Sequence, residues 1–429
     1  MSSKQQANDV MEENKSALVP KLRFPGFDGS WSYDPLSKNL KEHRIKNTAG
    51  RDVFSVSMEY GIVNQIELLG RSFAAADTSH YTIGRQFDVV YTKSPLKAFP
   101  FGIVKQCKFN GEVALSPLYG VFTPSNPYLG FLIEAYFESP NRSKDFLAPL
   151  CQKGAKNTLQ ITNTTFLSGR LPLPTQSAEQ QKIADCLSSL DELIAAQGRK
   201  VDALEIHKKS LMQQLFPREG ETQPRLRFPE FQNAGEWEEK KLGTVCEIQR
   251  GKFSHRPRND PRFFGGQYPF IQTGDVVKSG GGAVIASQSL NEEGLAVSKL
   301  FKPTIVLVTI AANIGDTGLL QTEGCFTDSV VGLIPKKNVT PVFLELIMRG
   351  QKEYLNKVAT TGVQKNINNE ILRDVSVLLT SVSEQQRIAD CLTSLDELIT
   401  AQTQKLEALK THKKGLIQQL FPTTEMVAA

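Results

Sequence analysis

Two stretches of this chain are almost the same stretch. Residues 179–217 read EQQKIADCLSSLDELIAAQGRKVDALEIHKKSLMQQLFP, and residues 384–422 read EQQRIADCLTSLDELITAQTQKLEALKTHKKGLIQQLFP. They align without a gap at an offset of 205 and are identical at 28 of 39 positions. An internal repeat of this size means that one structural unit is used twice, so it constrains the fold before any composition figure does. Each copy reads as a helix. Apolar residues fall at Ile183, Leu187, Leu190, Ile194, Val201, Leu204, Leu211 and Leu215, and again at Ile388, Leu392, Leu395, Ile399, Leu406, Leu409, Leu416 and Leu420. The steps alternate four and three, the heptad spacing that keeps one stripe against a partner helix. Only Gly198 weakens the helical body, and Phe-Pro ends each copy.

Both seams are broken at the same places, by Gln197 and Lys208 in one and by Gln402 and Lys413 in the other. Polar seam residues set register and partner more than stability. A parallel pairing would put Lys208 against Lys413, two like charges in one seam. An antiparallel pairing puts Lys208 near Leu395 and Asp396, and Lys413 near Leu190 and Asp191. The sequence therefore predicts an intramolecular antiparallel pair. Cysteines at 187 and 416 should crosslink, and cysteines at 187 and 392 should not. Residues 179–216 as a helix extend about 57 Å at 1.5 Å per residue, which makes each copy a rod of fixed length.

The repeat extends beyond the rod. PKLRFPGF at 20–27, followed by Trp31 and Leu36, returns as PRLRFPEF at 224–231, followed by Trp237 and Leu242. This divides the chain into a polar, disordered tail (1–19), a first domain (20–176), long helix 1 (177–217), a linker with the repeated motif (218–235), a second domain (236–382), long helix 2 (383–422) and a short tail (423–429). The two domains are far less alike than the rods. Strands are predicted at Phe87–Lys93, Glu112–Phe122, Thr304–Ala311 and Val330–Pro335 from their Val, Ile, Tyr and Phe content. Helices are predicted at Tyr128–Glu138 and Pro341–Val358. Phe264-Gly-Gly-Gln and Ser279-Gly-Gly-Gly read as loops. Strands and helices are mixed in both domains, so the class is α+β; strand order cannot be read from these runs.

Composition excludes more than it selects. At 429 residues with a net charge of +5, the chain can hold two to four full cores and is not a strongly basic polymer binder. It has no apolar run of transmembrane length, and its polar start is not a signal peptide. A cytoplasmic protein without a membrane partner is expected. The six cysteines, at 107, 151, 186, 246, 325 and 391, form no CxxC pair, so neither a disulfide frame nor a metal site is expected. Cys186 and Cys391, repeat equivalents beside the seam, read as packing groups, since a buried free cysteine is usually a small hydrophobe.

One stretch suggests ligand contact. Arg250–Arg262 reads RGKFSHRPRNDPR and carries Arg250, Lys252, His255, Arg256, Arg258, Asn259 and Arg262 against one acid, Asp260, with phenylalanines interleaved. A Pro- and Gly-rich basic loop suits phosphate and base contact, because arginine clamps phosphate or guanine edges bidentately. A solvated loop without a ligand is the competing reading at even weight. Gln272 and Thr273 follow at a strand end and could meet base edges; a plain turn is the alternative. The first domain gives a weaker signal: Ser55, Ser57 and Tyr60 in a polar loop, with Lys93 among scattered basic residues that include Arg71, His80, Arg85, Lys97 and Lys105. Late in each domain comes a second polar loop, with Lys156 and Asn157 in one and Lys365 and Asn366 in the other. A turn leading back to the long helix competes there and is slightly favoured.

Enzymatic constellations are missing from the sequence. There is no G-x-x-x-x-G-K-[ST] phosphate loop. Asn126-Pro127-Tyr128 lacks the second proline of an adenine-methylase motif and reads as a turn. His43, His80, His207, His255 and His412 stand at neither metal nor triad spacing.

With these residues in hand, the chain resembles the specificity subunits of type I restriction–modification enzymes. The resemblance rests on the LRFPxF-x-Trp motifs, the two dissimilar domains and the repeated EQQ-IADCL-SLDELI…HKK-L-QQLFP helices, and it covers nearly the whole chain. It implies two globular α/β target-recognition domains separated by two long antiparallel coiled-coil helices in pseudo-twofold relation. Each domain would read one half of an asymmetric, bipartite site on double-stranded DNA. The helix seam (Ile183, Leu187, Leu190, Ile194, Leu204, Lys208 and Leu211 with Ile388, Leu392, Leu395, Ile399, Leu409, Lys413 and Leu416) would set the unread spacer. The helices would also dock two methylation subunits, with restriction subunits joining the same complex. The resemblance implies no catalytic centre and no cofactor in this chain; S-adenosylmethionine, ATP and Mg2+ would belong to the partner subunits. A pure interaction scaffold would explain the rods but not the basic loop.

Overall fold

The computed structural model describes residues 18–153, 159–361 and 367–422. The chain divides into two units, one made of Met1–Arg199 with Gln404–Ala429 and the other of Lys200–Thr403. Both long helices, Ser177–Leu215 and Val382–Leu420, therefore contribute to both units.

In the first unit, β1 (Ser32–Pro35) pairs antiparallel with β10 (Arg170–Leu173), so the chain enters and leaves the domain side by side. One sheet has the order β2–β9–β6–β7: Leu40–Glu42, Gly120–Pro124, Val89–Thr92 and Ile103–Gln106. Its middle strand β6 is VVYT, buried at every position, as expected for a strand covered on both faces. The other sheet runs β4–β3–β8–β5: Gly61–Asn64, Val53–Ser57, Glu112–Leu115 and Thr82–Arg85, with β3 and β8 parallel.

The second unit repeats the pairing of these strands one for one. β11 (Glu238–Lys241) pairs with β20 (Ser376–Leu379). One sheet is β12–β19–β16–β17: Cys246–Arg250, Val330–Pro335, Ile305–Thr309 and Thr317–Leu320. The other is β14–β13–β18–β15: Gln288–Leu290, Phe264–Ile271, Gly324–Phe326 and Leu300–Phe301, again with one parallel pair, β13 with β18. The domains whose sequences differ most are thus two copies of one topology.

Several expected elements are corrected. The run Glu112–Phe122 is not one strand; β8 and β9 lie in different sheets and are joined by a turn at Ser116–Tyr119, where Tyr119 N donates to Ser116 O. The helix expected over 341–358 is two, Pro341–Gly350 and Lys352–Thr361, parted at Gln351. Phe264-Gly-Gly-Gln belongs to β13, at an irregularity in its register with β14. Asn126 proves to be a helix cap: its Oδ1 accepts from Leu129 N at 2.9 Å at the start of Pro127–Phe137. The glycines after Ser279 end a short helix; Gly281 has φ +93°, and a Cβ there would fall 1.8 Å from the Arg349 guanidinium.

The duplicated motifs do the same work in each unit. Trp31 is buried edge-on to Phe421, with ring centroids 5.8 Å apart, and Trp237 meets Phe216 the same way at 5.9 Å. Leu22 N donates to Gln419 O and Leu226 N to Gln214 O, so each LRFP motif is stitched to a QQLFP helix end. Arg23 forks Glu179 at 2.7 and 2.8 Å, and Arg227 forks Glu384 at 2.7 Å through both nitrogens. Both glutamates are 1% exposed. The adjacent glutamine secures the turn into the helix: Gln180 Nε2 donates to Pro174 O, and Gln385 Nε2 donates to Thr380 O and Asn338 O.

The polar seam layers pair as the charges require. In the first unit the Lys413 ammonium meets Asp191 at 2.6 Å and Glu138 at 2.7 Å; these carboxylates outweigh the cost of burial and raise its pKa. In the second, Lys208 meets Asp396. The two ion pairs join repeat-equivalent positions. Within the first unit Ile183 and Leu187 share a core with Leu416, Ile417 and Leu420; within the second Ile388 and Leu392 share one with Leu211 and Leu215. In each unit the helix segments therefore run antiparallel. Leu190, Ile194, Leu204, Leu395, Ile399 and Leu409 are only half-buried, because two helices alone cannot enclose a seam.

Candidate nucleic-acid interface

In the second unit the basic loop after β12 is built on two carboxylates. Asp328, in the turn before β19, accepts from Arg258 at 2.6 and 2.8 Å and from Arg256 at 3.3 Å. Its backbone carbonyl accepts from Arg250 Nε. Asp260 holds Arg262 at 3.1 Å and His255 at 3.3 Å, and its side chain also accepts Arg262 N to start the turn Pro261–Phe263. The interleaved phenylalanines form the floor: Phe253, Phe263 and Phe270 are buried in one cluster with Leu290 and Cys325. The arginine heads remain about half-exposed, with side chains 53%, 45% and 60% accessible for Arg256, Arg258 and Arg262. The loop is therefore neither free nor neutralised. Its guanidiniums are aimed by fixed acids while keeping faces open to a phosphate or base edge. Lys252 is exposed, and its carbonyl accepts from Ser298 Oγ at 2.7 Å.

Arg258 and Asn259 from the basic loop and Gln272 from the end of β13 line one cleft of about 280 Å3, walled by Phe253, Phe264 and Phe270 and closed by Ser287, Gln288 and Thr327. Thr273 opens the helix Thr273–Ser279 beside it. Ser287, Gln288 and Asp328 are not evident from the sequence, since nothing local separates them from ordinary turn residues.

In the first unit Ser55 and Ser57 share one face of β3, and Tyr60 is 62% exposed in the turn to β4, where its N–H donates to Ser57 Oγ. Lys93 follows β6 in the other sheet. The expected residues here do not form one constellation. Lys105 leaves the basic set altogether: it is 5% exposed and paired with buried Glu134 at 3.4 Å. Arg85, already in that set, is joined at the surface by Arg51; they sit on Glu112 at 3.2 and 3.3 Å. A cleft of about 210 Å3 lies beside Arg51, Asp52 and Asn64. Lys156, Asn157, Lys365 and Asn366 lie outside the described residues.

Among the described residues no group of three or more His, Cys, Asp or Glu could hold a metal ion, and no helix is long and apolar enough to cross a membrane. The cysteines are free thiols. Burial pushes Cys246 up to about 12 and also raises Cys107 and Cys325, which makes them packing groups.

Residues 234–411 match the family described as the type I restriction modification DNA specificity domain. In that part the chain is similar to the type I restriction–modification specificity subunits. It is 24% identical over 297 residues to the putative type I restriction enzyme MjaX specificity subunit of Methanocaldococcus jannaschii, covering 69% of this chain and 67% of that protein. It is 23% identical over 292 residues to the MjaVIII specificity subunit of the same organism, covering 61% and 63%. Its fold is that of the type I restriction–modification S subunit from M. genitalium, with a TM-score of 0.57 at 12% identity over 95% of this chain and 100% of that one. A second solved chain, from work on complex assembly and conformational transition of the type I system, gives a TM-score of 0.54 at 17% identity over 94% and 99%. The α+β fold that the resemblance implied is therefore the fold observed.

Proposed function

We propose that this chain is a type I restriction–modification specificity subunit, that each of its units reads one half of a split target on double-stranded DNA, and that the long helices fix the unread spacer between the halves. The single observation that carries this is the duplicated topology with unlike surfaces. Two domains share one strand plan, yet one presents an acid-anchored arginine loop and the other a serine- and tyrosine-bearing hairpin. Equal scaffolds with unequal faces suit an asymmetric bipartite site, much as half-site spacing mirrors the spacing of any paired reader. The contacts follow from side-chain type. Arg250, Lys252, Arg256, Arg258, Arg262, Lys93, Lys156 and Lys365 are phosphate or guanine contacts; His255, Asn259, Gln272, Thr273, Asn157, Asn366, Ser55, Ser57 and Tyr60 are candidates for base edges.

The chain is the non-catalytic member of its complex. The methylation partners, two in number on this reading, would use the outer helix faces. Leu193 and Leu398 are repeat equivalents, each well exposed at 48% and 42%, and such apolar residues suit a covered face. S-adenosylmethionine, ATP and Mg2+ are assigned to the methylation and restriction subunits, and the complex to the cytoplasm. The test is to map methylated adenines in cells that make this chain with its methylation subunits. Two short fixed sequences at a constant spacing support the reading; methylation at a single continuous motif, or at none, refutes it.

A further inference from the structure

We infer that Gln288 reads an adenine in the half-site bound by the second unit and that Gln272 positions it; this rests on the reading that this unit faces DNA.

Gln272 follows β13 and Gln288 opens β14. Their side chains meet, with Gln272 Nε2 donating to Gln288 Oε1 at 3.0 Å. Buried Asp275, 5% exposed, holds both strands in place: its Oδ2 accepts from Gln272 N at 2.9 Å, from Ser287 N at 3.2 Å and from Ser287 Oγ at 3.0 Å. The two amides are thus fixed side by side at the mouth of a cleft that also holds Arg258 and Asn259. The shared bond uses one hydrogen and one lone pair. It leaves Gln288 with an amide N–H pair and a second lone pair on Oε1, facing solvent. An amide with donor and acceptor side by side matches the N7 acceptor and N6 donor of adenine in the major groove, and no other single base edge offers that pair there. Arg258, anchored on Asp328, lines the same cleft and would take a phosphate or a guanine beside it.

The corresponding place in the first unit carries a related device. In both units the position is the residue just after the last one paired in parallel with the central strand: Ile271 with Phe326 precedes Gln272, and Phe54 with Leu115 precedes Ser55. Gln65 there donates to Ser55 Oγ at 3.0 Å. However, its Oε1 is taken by Phe73 N at 2.8 Å and Ser72 Oγ at 3.2 Å. That pair offers a hydroxyl rather than an open amide, so the two units should not read the same base at this position.

The experiment uses the full chain with its methylation subunits. Binding is measured to duplexes carrying the mapped site, with each base pair of the second half-site replaced in turn. The wild-type complex should lose affinity when one adenine is replaced by 7-deazaadenine. Gln288→Ala should remove the discrimination at that position alone, by about 5- to 150-fold, leaving the first half-site unchanged. Gln288→Glu keeps the shape but only accepts, and should move the preference there towards a cytosine, whose N4 donates. Gln272→Ala should weaken the same discrimination, and Gln288→Glu with Gln272 intact should separate misfolding from lost readout. Unchanged discrimination at every position in both Gln288 variants, with normal binding, overturns the proposal while leaving the two-reader scheme standing. If the wild-type complex is indifferent to scrambling the whole second half-site, the proposal falls together with that scheme.

Discussion

The buried Arg227–Glu384 fork allows a sharp test of how the LRFP motif holds the second unit together. Both side chains are almost enclosed, at 9% and 1% exposure, and they meet through two bonds of 2.7 Å. Glu384 also accepts from Thr380 Oγ1, and Arg227 Nη1 donates to Ala234 O at 2.7 Å and Gly235 O at 3.0 Å. Glu384→Ala would strand a guanidinium that remains tied to those carbonyls, and removing one partner of a buried pair costs about 3–5 kcal/mol. For a unit of this size about 1 kcal/mol corresponds to roughly 2–4 °C in Tm, so a fall of about 6–20 °C is expected for the second unit's transition by calorimetry. Arg227→Met with Glu384→Leu removes both charges and should cost far less than either single change, since an apolar pair of similar volume is often neutral. Glu179→Ala should cost more than Glu384→Ala, because it also strips buried Trp31 Nε1 of its acceptor at 3.3 Å. A shift below about 1 kcal/mol for Glu384→Ala, or a double variant as unstable as the singles, would refute the view of this fork as a buried, coupled clamp.

Two further outcomes follow from the structure. Burial raises the pKa of Glu345 above its ordinary 4.5, against the opposing pull of Arg349 and Thr317. The folded state then binds the proton more tightly than the unfolded one, so this group's contribution is full below about 4.5 and is lost as pH rises through the raised folded value. Urea unfolding across that window should show the wild type losing stability relative to Glu345→Gln as pH rises; a constant difference would show that the carboxyl binds its proton equally well in the folded and unfolded chain. The antiparallel segments of the first unit should let Leu187→Cys and Leu416→Cys form a disulfide under mild oxidation, detected as a linked peptide by mass spectrometry, and its absence would contradict the register set by Lys413 and Asp191.

What the sequence revealed was whatever it states twice. The seam direction was legible because Lys208 and Lys413 each leave only one favourable neighbour, and the structure pairs them with Asp396 and Asp191. The Arg23–Glu179 and Arg227–Glu384 forks were equally available, as an arginine and a glutamate that recur together, but their partners stand 156 and 157 residues apart. The shared strand plan was hidden for a different reason. Strands such as Leu40–Glu42 or Gly324–Phe326 span three residues, too few to show a period, and their equivalence rests on pairing register rather than on residue type. The basic loop was found as a loop, yet Asp328, which aims two of its arginines, is 70 and 72 residues further on. Distance of that kind leaves no local trace. Lys105 shows the converse: a lysine counted by charge alone proves to be a buried partner of Glu134.

The most direct measurement of the central claim is a domain exchange followed by methylated-adenine mapping. Residues 238–382 would be replaced by the corresponding domain of another specificity subunit, and the hybrid made in cells together with the methylation subunits. The account predicts that one half of the methylated site changes while the other half and the spacer stay as they were, because the first unit is untouched and the helices keep every residue but Val382. Methylation in which both halves change, or in which neither does, would contradict it.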